Sequence, residues 1–357
     1  MGIRFERGNR KATNGPLIFF SILHDEFFEE EIRNAFYSGL SFYSYRFPGD
    51  SMFSYGSSEG YEEGLGKPGF VIGFFSPQLP FITIPYSGVK TKNPSESLYS
   101  MPQVSTPYSD YSMEVEDIIN SLKEGKGDKV VAARVEVRDI ETDVAEKFYE
   151  LCEKFPDAFV FCFSTPATGC WIGASPELLL ENQNGVLRSM ALAGTRQAGV
   201  TDPWDHKNIE EQRIVTDYIL ACFRRNGLEP KAGDTFTKPT GKIEHLCTPV
   251  VVSAPSSSFN LENLVRDLSP TPALCGSPKQ FALQEISRLE KFDRGCYGGF
   301  CGPFRSADDF HFQVVLRCAT VAQQRLCIYV GGGITSHSEV ASEWEETEMK
   351  IKNIFGN

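Results

Sequence analysis

Apolar and polar residues along the chain alternate between the spacings of helices and of strands. Val115, Ile118 and Leu122 recur at intervals of three and four, which predicts a helix over 113–124. Similar patterns predict helices at 25–36, 142–155, 207–223, 278–289 and 339–355. Shorter β-rich runs predict strands at 129–137, 158–164, 170–174, 185–191, 310–320 and 325–331, with the last two paired as a hairpin.

The fold class predicted from these elements is α+β, with large antiparallel sheets and helices packed on the outside. Short links between successive strands favour antiparallel pairing. The 31 glycines and 21 prolines indicate many turns, which argues against an all-helical fold. The segment 76–112 is rich in proline, serine and tyrosine, so it is the best candidate for a domain boundary or a long excursion.

Size and charge limit the possible partners. A chain of 357 residues suggests two domains or one large intertwined unit, at roughly 150 residues per domain. The net charge is −12 and there is no basic block, which argues against nucleic acid and anionic membranes as partners. No apolar run approaches the length needed to span a bilayer.

The ten cysteines indicate a reduced, cytoplasmic protein. None of them forms a C-x-x-C pair or a zinc-like spacing, and most lie in apolar runs where a thiol acts as a small hydrophobic group. The short apolar run at 17–23 lacks the cleavage site of a secretory signal.

Two motifs offer candidate chemistry beside an ordinary structural explanation. The glycines at 331–333 follow a strand and precede a helix, so their N–H groups could cradle an anion, or they could form a tight turn. Glu177, in the sequence GASPE, follows a proline at the end of a strand. It could serve in catalysis, although a glutamate in a turn is usually solvated.

Carboxylates on two predicted helices could form a metal site. Glu343, Glu346 and Lys350 share one face of the last helix, either as a surface ion pair or as a metal site beside a cation. Glu210 or Glu211 on the helix at 207–223 could supply a second carboxylate. Mg²⁺ suits such a site because it takes few protein oxygens and keeps waters or substrate oxygens.

Two basic residues stand next to apolar strand sequence. Arg317 lies within a strongly apolar run, so it needs a partner, either an internal carboxylate or a substrate carboxylate. Lys129 opens the strand at 129–137 and is either a solvated strand-end lysine or a base drawn into a pocket.

Nine ordered motifs together resemble the chorismate-utilising enzymes, which include isochorismate, salicylate, anthranilate and aminodeoxychorismate synthases. The motifs are GASPELL, LAGTR, K-N-x-E-E-Q, HL-x-T, PTPALCG, FDRGCYGG, VVLRCA, GGGIT and EWEETEMK, and the match spans about 128–355. This resemblance implies an anthranilate/isochorismate synthase-like fold as a single intertwined unit. Residues 1–110 would be its variable N-terminal part and 111–357 the chorismate-binding catalytic region.

Particular residues favour one member of this family. Lys129 matches the lysine that activates water in isochorismate and salicylate synthases, where anthranilate synthases have glutamine. Ala193 stands where aminodeoxychorismate synthases have a covalent lysine, and Ala273 and Leu274 resemble isochorismate synthases. The resemblance therefore implies an isochorismate synthase. The alternatives are a salicylate synthase, a non-catalytic chorismate binder and, as a third option, a thiol enzyme.

The resemblance also assigns roles to residues. Glu177 matches the general acid at the C4 hydroxyl, and Glu211 and Glu346 match the two glutamates that bind Mg²⁺. The implied substrate contacts are Gly194, Thr195, His245, Ala273, Leu274, Tyr297, Arg317, Gly332, Gly333 and Lys350. One departure is the sequence Lys207-Asn208-Ile209, where the family usually has K-D-R.

The implied reaction is the isomerisation of chorismate to isochorismate. An uncharged Lys129 would take a proton from water as the water attacks C2, while protonated Glu177 would release the C4 hydroxyl as water. Mg²⁺ would bind the ring carboxylate. No glutamine amidotransferase subunit is expected, and relatives of this length imply a monomer.

Overall fold

The computed structural model describes residues 18–21, 26–89, 97–240, 243–253 and 259–356. The part of the apolar run at 17–23 beyond 18–21 lies outside these ranges. The helices are α1 (Glu26–Tyr37), α2 (Tyr108–Lys123), α3 (Val144–Lys154), α4 (His206–Arg225), α5 (Leu261–Leu268), α6 (Lys279–Leu289) and α7 (Val340–Phe355). None of these helices in the described ranges is both long and apolar enough to cross a membrane.

The strands are short and numerous, as the glycine and proline content indicates. In chain order they are β1 (Ile18–Ser21), β2 (Ser41–Arg46), β3 (Met52–Ser58), β4 (Glu62–Glu63), β5 (Gly69–Gly73), β6 (Ile82–Pro85), β7 (Lys129–Arg138), β8 (Phe159–Thr165), β9 (Gly169–Ser175), β10 (Leu178–Gln183), β11 (Val186–Gln197), β12 (Lys231–Ala232), β13 (Phe236–Thr240), β14 (Ile243–Ser253), β15 (Gly276–Ser277), β16 (Phe300–Ser306), β17 (Asp309–Val314), β18 (Cys318–Ala322) and β19 (Arg325–Ile334).

These strands form two antiparallel sheets. The first has nine strands in the order β1-β3-β2-β8-β9-β18-β19-β7-β15. The second has ten, in the order β12-β14-β11-β10-β17-β16-β5-β6-β4, with β13 paired to β14 beside this path. Strands from the first 110 residues enter both sheets. The predicted α+β class with large antiparallel sheets is confirmed.

Aromatic side chains join the two sheets across their inner faces. The ring of Tyr43 on β2 stacks on Phe70 of β5 with centroids 5.1 Å apart, and Phe70 also contacts Phe163 of β8 at 6.0 Å. All three side chains are buried. Each such ring removes a large apolar area from water, which makes this layer the main source of cohesion between the sheets.

Helices cover the outer faces, as predicted. The apolar sides of α1, α3 and α7 pack on the first sheet, where Phe28, Phe148 and Ile351 are buried. Both α3 and α4 begin at an aspartate, because Asp143 and Asp205 accept hydrogen bonds from backbone N–H groups of the first turn. The helices α2 and α6 pack beside β7, and α4 and α5 pack at the second sheet.

The segment 76–112, the candidate for a boundary or a long excursion, contains regular secondary structure. It includes β6 and the start of α2, which begins five residues before the predicted helix at 113. Between them, Tyr99 inserts its buried ring beside Trp171 at 5.2 Å, and its hydroxyl lies 2.5 Å from that of Tyr329. Residues 90–96 lie outside the described ranges.

The predicted hairpin of 310–320 with 325–331 is wrong in its first strand. The chain leaves the second sheet after β17 and enters the first sheet as β18, so the hairpin consists of β18 and β19. Arg317 therefore lies at a break between strands, with φ of 50°. The run is apolar on both sides of this break because both strands are buried, so periodicity alone could not reveal it.

A buried ion pair fixes α6 to the start of β7. The guanidinium of Arg294 bonds Glu290 through Nε at 2.7 Å and donates to the carbonyls of Leu274 and Val131 at 2.7 and 2.8 Å. Glu290 also accepts a bond from the N–H of Ala133 at 3.0 Å. Both side chains are at most 5% exposed.

Arg294→Met is expected to lower the free energy of unfolding by about 3–5 kcal/mol, because it leaves Glu290 as a buried carboxylate without a counter-charge. Urea unfolding followed by circular dichroism measures this. Arg288→Met is the control, since Arg288 is 50% exposed beside Glu285, and its loss is expected to cost less than about 1 kcal/mol. Equal losses in the two variants would contradict this role of Arg294.

Candidate active site

Two crossings between the sheets lie side by side and create the site. Pro176 and Glu177 carry the chain from β9 in the first sheet to β10 in the second, and 315–317 carry it back from β17 to β18. The crossings bond to each other's flanking residues: the N–H of Val314 donates to the carbonyl of Glu177 at 3.0 Å, and the N–H of Ala174 donates to that of Arg317 at 3.2 Å. Glu177 and Arg317 are thereby held as neighbours.

Because β18 starts only at Cys318, part of β19 has no neighbouring strand on that side within the described residues. The pairing of β18 with β19 ends at Cys318 opposite Tyr329, whereas β7 pairs with β19 as far as Ile334. The edge of β19 beyond Tyr329 therefore borders a cavity instead of a strand.

This cavity, with the open space at its mouth, has a volume of about 750 Å³. That is within the range of small-molecule sites. Eleven of the fourteen residues predicted for the site line it: Glu177, Gly194, Thr195, Glu211, His245, Ala273, Leu274, Tyr297, Arg317, Gly333 and Lys350. Lys129, Gly332 and Glu346 do not line the cavity, but each contacts a residue of the site, as described below.

Lys129 lies directly beneath the cavity wall. It opens β7, its side chain is 1% exposed, and its Nζ is 2.5 Å from Oε1 of Glu211 on α4. It is not the solvated strand-end lysine that was the alternative interpretation. Glu210, the other candidate on that helix, is exposed and pairs with Arg213 instead.

The three glycines at 331–333 form part of β19 and not a turn. A Cβ on Gly333 would lie 2.5 Å from Cε of Lys129 and 2.9 Å from Oε1 of Glu211. A Cβ on Gly332 would lie 3.0 Å from Oε2 of Glu343. Glycine is needed at these positions because the side chains of Lys129, Glu211 and Glu343 pass too close to the strand for a Cβ. It is not needed for backbone conformation, since the φ values of 331–333 are not in the left-handed region.

Glu177 is a buried carboxyl group. Its side chain is 2% exposed, and its oxygen Oε1 accepts a weak hydrogen bond from Oγ1 of Thr271 at 3.4 Å. Burial raises the pKa of Glu177 to about 8, against the opposing effect of Thr271 and of nearby cations. At neutral pH this group is largely protonated and can donate a proton.

Arg317 is held by a histidine, and one of its donors is left over. Its Nη2 lies 2.7 Å from Nε2 of His245, and Nδ1 of His245 lies 2.7 Å from the carbonyl of Gly194. Burial, together with the charge of Arg317, lowers the pKa of His245 to about 3, so the ring is neutral. Because the guanidinium can only donate, His245 accepts at Nε2 and donates from Nδ1 to Gly194.

The remaining donor of Arg317 points to an anionic ligand. Its Nη1 is buried and has no hydrogen-bond partner among the described residues, which also place no carboxylate in ion-pair contact with it. Burial lowers the pKa of Arg317 to about 10, which still leaves it charged at neutral pH. The sequence left two partners possible for Arg317, an internal carboxylate or that of a ligand. The geometry favours the ligand carboxylate.

Carboxylates and lysines alternate at the other end of the site. Glu346 on α7 pairs with Lys350 at 2.7 Å, and that lysine also donates to the carbonyl of Gly331 at 2.8 Å. The charge of Lys350 holds the pKa of Glu346 below its usual range. Glu343, one turn before Glu346, is 3% exposed, lies 3.4 Å from Nζ of Lys207, and has an Oε2 with no hydrogen-bond partner among the described residues.

Glu343 was a candidate carboxylate beside Glu346 on sequence grounds, whereas its contact with Lys207 was not predicted. The i, i+3 spacing of Glu343 and Glu346 was the available signal. The burial of Glu343 on the sheet side of α7 was not readable from it.

At the departure Lys207-Asn208-Ile209, Asn208 hydrogen-bonds on both sides. The amide of Asn208 donates to Asp205 at 2.7 Å and its Oδ1 accepts from the N–H of Thr195 at 3.2 Å. A Cβ on Gly194 would lie 2.9 Å from this Oδ1. Asn208 thereby ties the start of α4 to the irregular part of β11, where Gly194 and Thr195 face the cavity.

The apolar wall comes from the segment before β15 and from Tyr297. Ala273 and Leu274 line the cavity, and the carbonyl of Leu274 is fixed by Arg294. The ring of Tyr297 stacks on Tyr329 with centroids 5.7 Å apart. This wall is rigid because each part is anchored to buried groups behind it.

The chain is similar to several known proteins. The family model described as chorismate binding enzyme matches residues 84–356. Isochorismate synthase EntC of Escherichia coli (strain K12) is 34% identical over 249 residues, which is 64% of this chain and 62% of that protein. The chain thus matches less than two thirds of that relative's length.

Solved structures share the fold. The menaquinone-specific isochorismate synthase MenF of Escherichia coli superposes with a TM-score of 0.75 and 19% identity, covering 88% of this chain and 87% of that one. Anthranilate synthase component I of Streptococcus pneumoniae superposes with a TM-score of 0.67 and 15% identity, covering 99% and 95%. At these identities the likeness establishes the fold alone. Together with the family match over most of the chain, it shows that the chain belongs to the family of chorismate-binding enzymes.

Proposed function

We propose that the protein is an isochorismate synthase, which isomerises chorismate by attack of water at C2 and loss of the C4 hydroxyl. The observation that carries this proposal is the presence in one site of a buried Glu177, whose pKa is raised, and a buried lysine, Lys129. This exchange of hydroxyl positions requires a general acid and a general base on two different side chains. The 34% identity to EntC supports the same assignment.

The substrate is oriented by its carboxylates in this proposal. Arg317 presents the unpaired Nη1 to the pyruvyl carboxylate, while neutral His245 keeps the guanidinium in place. Tyr297 and the bare edge of β19 at Gly331 and Gly333 enclose the same end of the ligand.

In the proton transfers, Lys129 accepts a proton from the attacking water and Glu177 gives one to the departing hydroxyl. Glu177 begins protonated because burial disfavours its carboxylate. The positive charges of Lys129 and Arg317 then stabilise the carboxylate that remains, so the step is reversible with the two roles exchanged.

The carboxylates of Glu211 and Glu346 fit a magnesium ion, with Glu343 beside them. The buried Oε2 of Glu343 without a partner among the described residues supports this, as does the all-oxygen donor set. Within the described ranges no three acidic, histidine or cysteine side chains lie close enough to hold a metal alone. This is consistent with a magnesium ion that keeps waters and a substrate oxygen, and that would neutralise and orient the ring carboxylate.

The remaining proposals concern the setting of the enzyme. All ten cysteines are unpaired and buried, which supports a reducing, cytoplasmic location. We propose that the enzyme acts alone as a monomer, with 111–357 as the catalytic region and 1–110 completing the two sheets. Its product would feed menaquinone or siderophore synthesis.

Incubation of the purified protein with chorismate and Mg²⁺, followed by chromatography and mass spectrometry, tests the activity. Isochorismate as the product supports the proposal. Salicylate with pyruvate would instead assign the salicylate synthase activity, and binding of chorismate without any conversion would assign a binding protein.

Lys129→Gln and Glu177→Gln are each expected to lower kcat by about 10²–10⁴-fold, because each removes a proton-transfer group. Steady-state kinetics measure the loss, and circular dichroism checks that the fold is retained. Lys126→Gln, at an exposed lysine paired with Glu124 near the start of β7, is the matched control and is expected to leave kcat unchanged. Normal turnover in either active-site variant would exclude the mechanism.

Glu346→Gln is expected to raise the Mg²⁺ concentration needed for half-maximal activity by about 10–100-fold. A magnesium titration of initial rates measures this. Glu345→Gln, on the exposed side of α7, is the control and is expected to keep the wild-type titration. An unchanged titration in the Glu346 variant would remove that residue from the metal site.

The rate is expected to fall as pH rises through about 8, because Glu177 donates a proton only while it is protonated, and it is protonated below its pKa of about 8. A profile of kcat against pH measures this alkaline limb. A profile that stays flat to pH 10 would show that Glu177 is not the proton donor.

A further inference from the structure

Lys238 is a cation near the site that neither the motifs nor the proposed mechanism uses. It lies on β13, which among the described strands pairs with β14 alone and whose residues Thr237 and Pro239, on either side of Lys238, are exposed. A lysine on such an edge strand usually extends into solvent. Lys238 instead turns inward: its Nζ lies 2.8 Å from the carbonyl of Pro176 and 3.6 Å from Sδ of Met190.

The register of β13 explains this direction. Lys238 is paired directly opposite His245 of β14, so the two side chains lie on the same face of the sheet. That is the face on which His245 borders the cavity. Lys238 therefore approaches the crossing at Pro176 and Glu177 from the second sheet.

The position of Lys238 is costly for stability alone. The described residues place no carboxylate in ion-pair contact with its ammonium group, and its strong hydrogen bond goes to a neutral carbonyl. Burial lowers the pKa of Lys238, while Cys247 and Glu177 oppose that effect. A partly desolvated ammonium group without an ion-pair partner is retained at the expense of folding energy, which points to a role in the site.

The carbonyl that Lys238 holds belongs to the residue just before Glu177. The carbonyls on both sides of Glu177 are therefore held, that of Pro176 by Lys238 and that of Glu177 itself by the N–H of Val314. A carboxyl group on a two-residue crossing moves with the peptide between Pro176 and Glu177, so Lys238 sets where the acid stands.

The charge of Lys238 also differs from those of the other cations that face Glu177. These are Lys129 on β7 and Arg317 at the second crossing, while His245 on β14 is neutral. In the proposed reaction the charge of Lys129 changes as it exchanges a proton, and the charge of Arg317 acts on the bound carboxylate as well as on Glu177. The titratable and charged groups that face Lys238 are Cys247, Glu177, Arg317 and, more weakly, Asp157. Lys238 takes no part in the proton exchange or in holding the substrate, so neither step changes its charge.

We propose that Lys238 is a positioning residue for Glu177: its ammonium group fixes the peptide that carries the acid, and its charge stabilises the carboxylate left after proton transfer. This inference rests on the proposed role of Glu177 as the proton donor.

Lys238→Met tests the inference. It is expected to lower kcat about tenfold with KM changed less than about twofold, and to move the alkaline limb of the kcat profile upward by about one pH unit, because the carboxylate loses a stabilising charge. Lys238→Arg retains the charge and is expected to keep the limb within about 0.3 unit of the wild type. The matched control is Lys231→Met at an exposed lysine on β12 of the same sheet, which is expected to leave both quantities unchanged.

A reading independent of turnover separates this inference from the proposed function. Infrared titration follows the protonated carboxyl band of Glu177, identified by its absence in Glu177→Gln. The midpoint is expected to rise in Lys238→Met whether or not the wild type converts chorismate. If Lys238→Met does not fold, Lys238→Gln replaces it, because the amide still donates to Pro176 while the charge is gone, and the same rise is expected.

An unshifted infrared midpoint overturns the inference. So does a fall in kcat with the limb unmoved and no recovery in Lys238→Arg, since that pattern describes a purely structural lysine. A wild type that leaves chorismate unchanged while the midpoint still rises would overturn the proposed function and leave the electrostatic link between Lys238 and Glu177 in place.

Discussion

The site depends on one topological constraint: the chain passes between the two sheets twice at the same place. Because β9 ends and β18 begins there, the end of β19 has no neighbouring strand on that side within the described residues, and a cavity opens inside an otherwise continuous layer. The crossings themselves carry Glu177 and Arg317. Backbone bonds between them fix both side chains without any contribution from a flexible surface loop. Interruption of regular pairing thus supplies the space and the functional groups together.

Burial then sets the protonation states within this space. It keeps Glu177 protonated and His245 neutral, while Arg317 remains charged at neutral pH. At the opposite end Glu346 stays ionised beside Lys350. A chain with a net charge of −12 therefore offers a local set of cations to an anionic ligand. The ends differ in character because one is closed by apolar walls and the other by alternating lysines and glutamates.

The sequence allowed the fold class and most helices to be predicted, and it named residues that the fold brings together, but it did not reveal the connections. Eleven predicted residues meet at one cavity because ordered motifs carry information that spacing alone does not. The crossing at 315–317 was missed since both flanking strands are buried and read as one apolar run. The role of the glycines at 331–333 was also missed, because the crowding of Gly333 by Lys129 depends on tertiary contacts. Lys238 gave no signal, since only its register opposite His245 turns it inward.

The sharing of strands between early and late parts of the chain has a consequence for how the protein reaches its native state. β2 pairs with β8, and β5 with β16, which lie more than 100 and 200 residues further on. The entropy cost of closing such large loops comes before the favourable contacts between the strands form, so folding is expected to be slow and cooperative. A fragment without these early strands would expose the edges of β8 and β16 to other chains. During synthesis, the ribosome releases those early strands long before their partners exist, so their edges stay unpaired in the nascent chain for that interval.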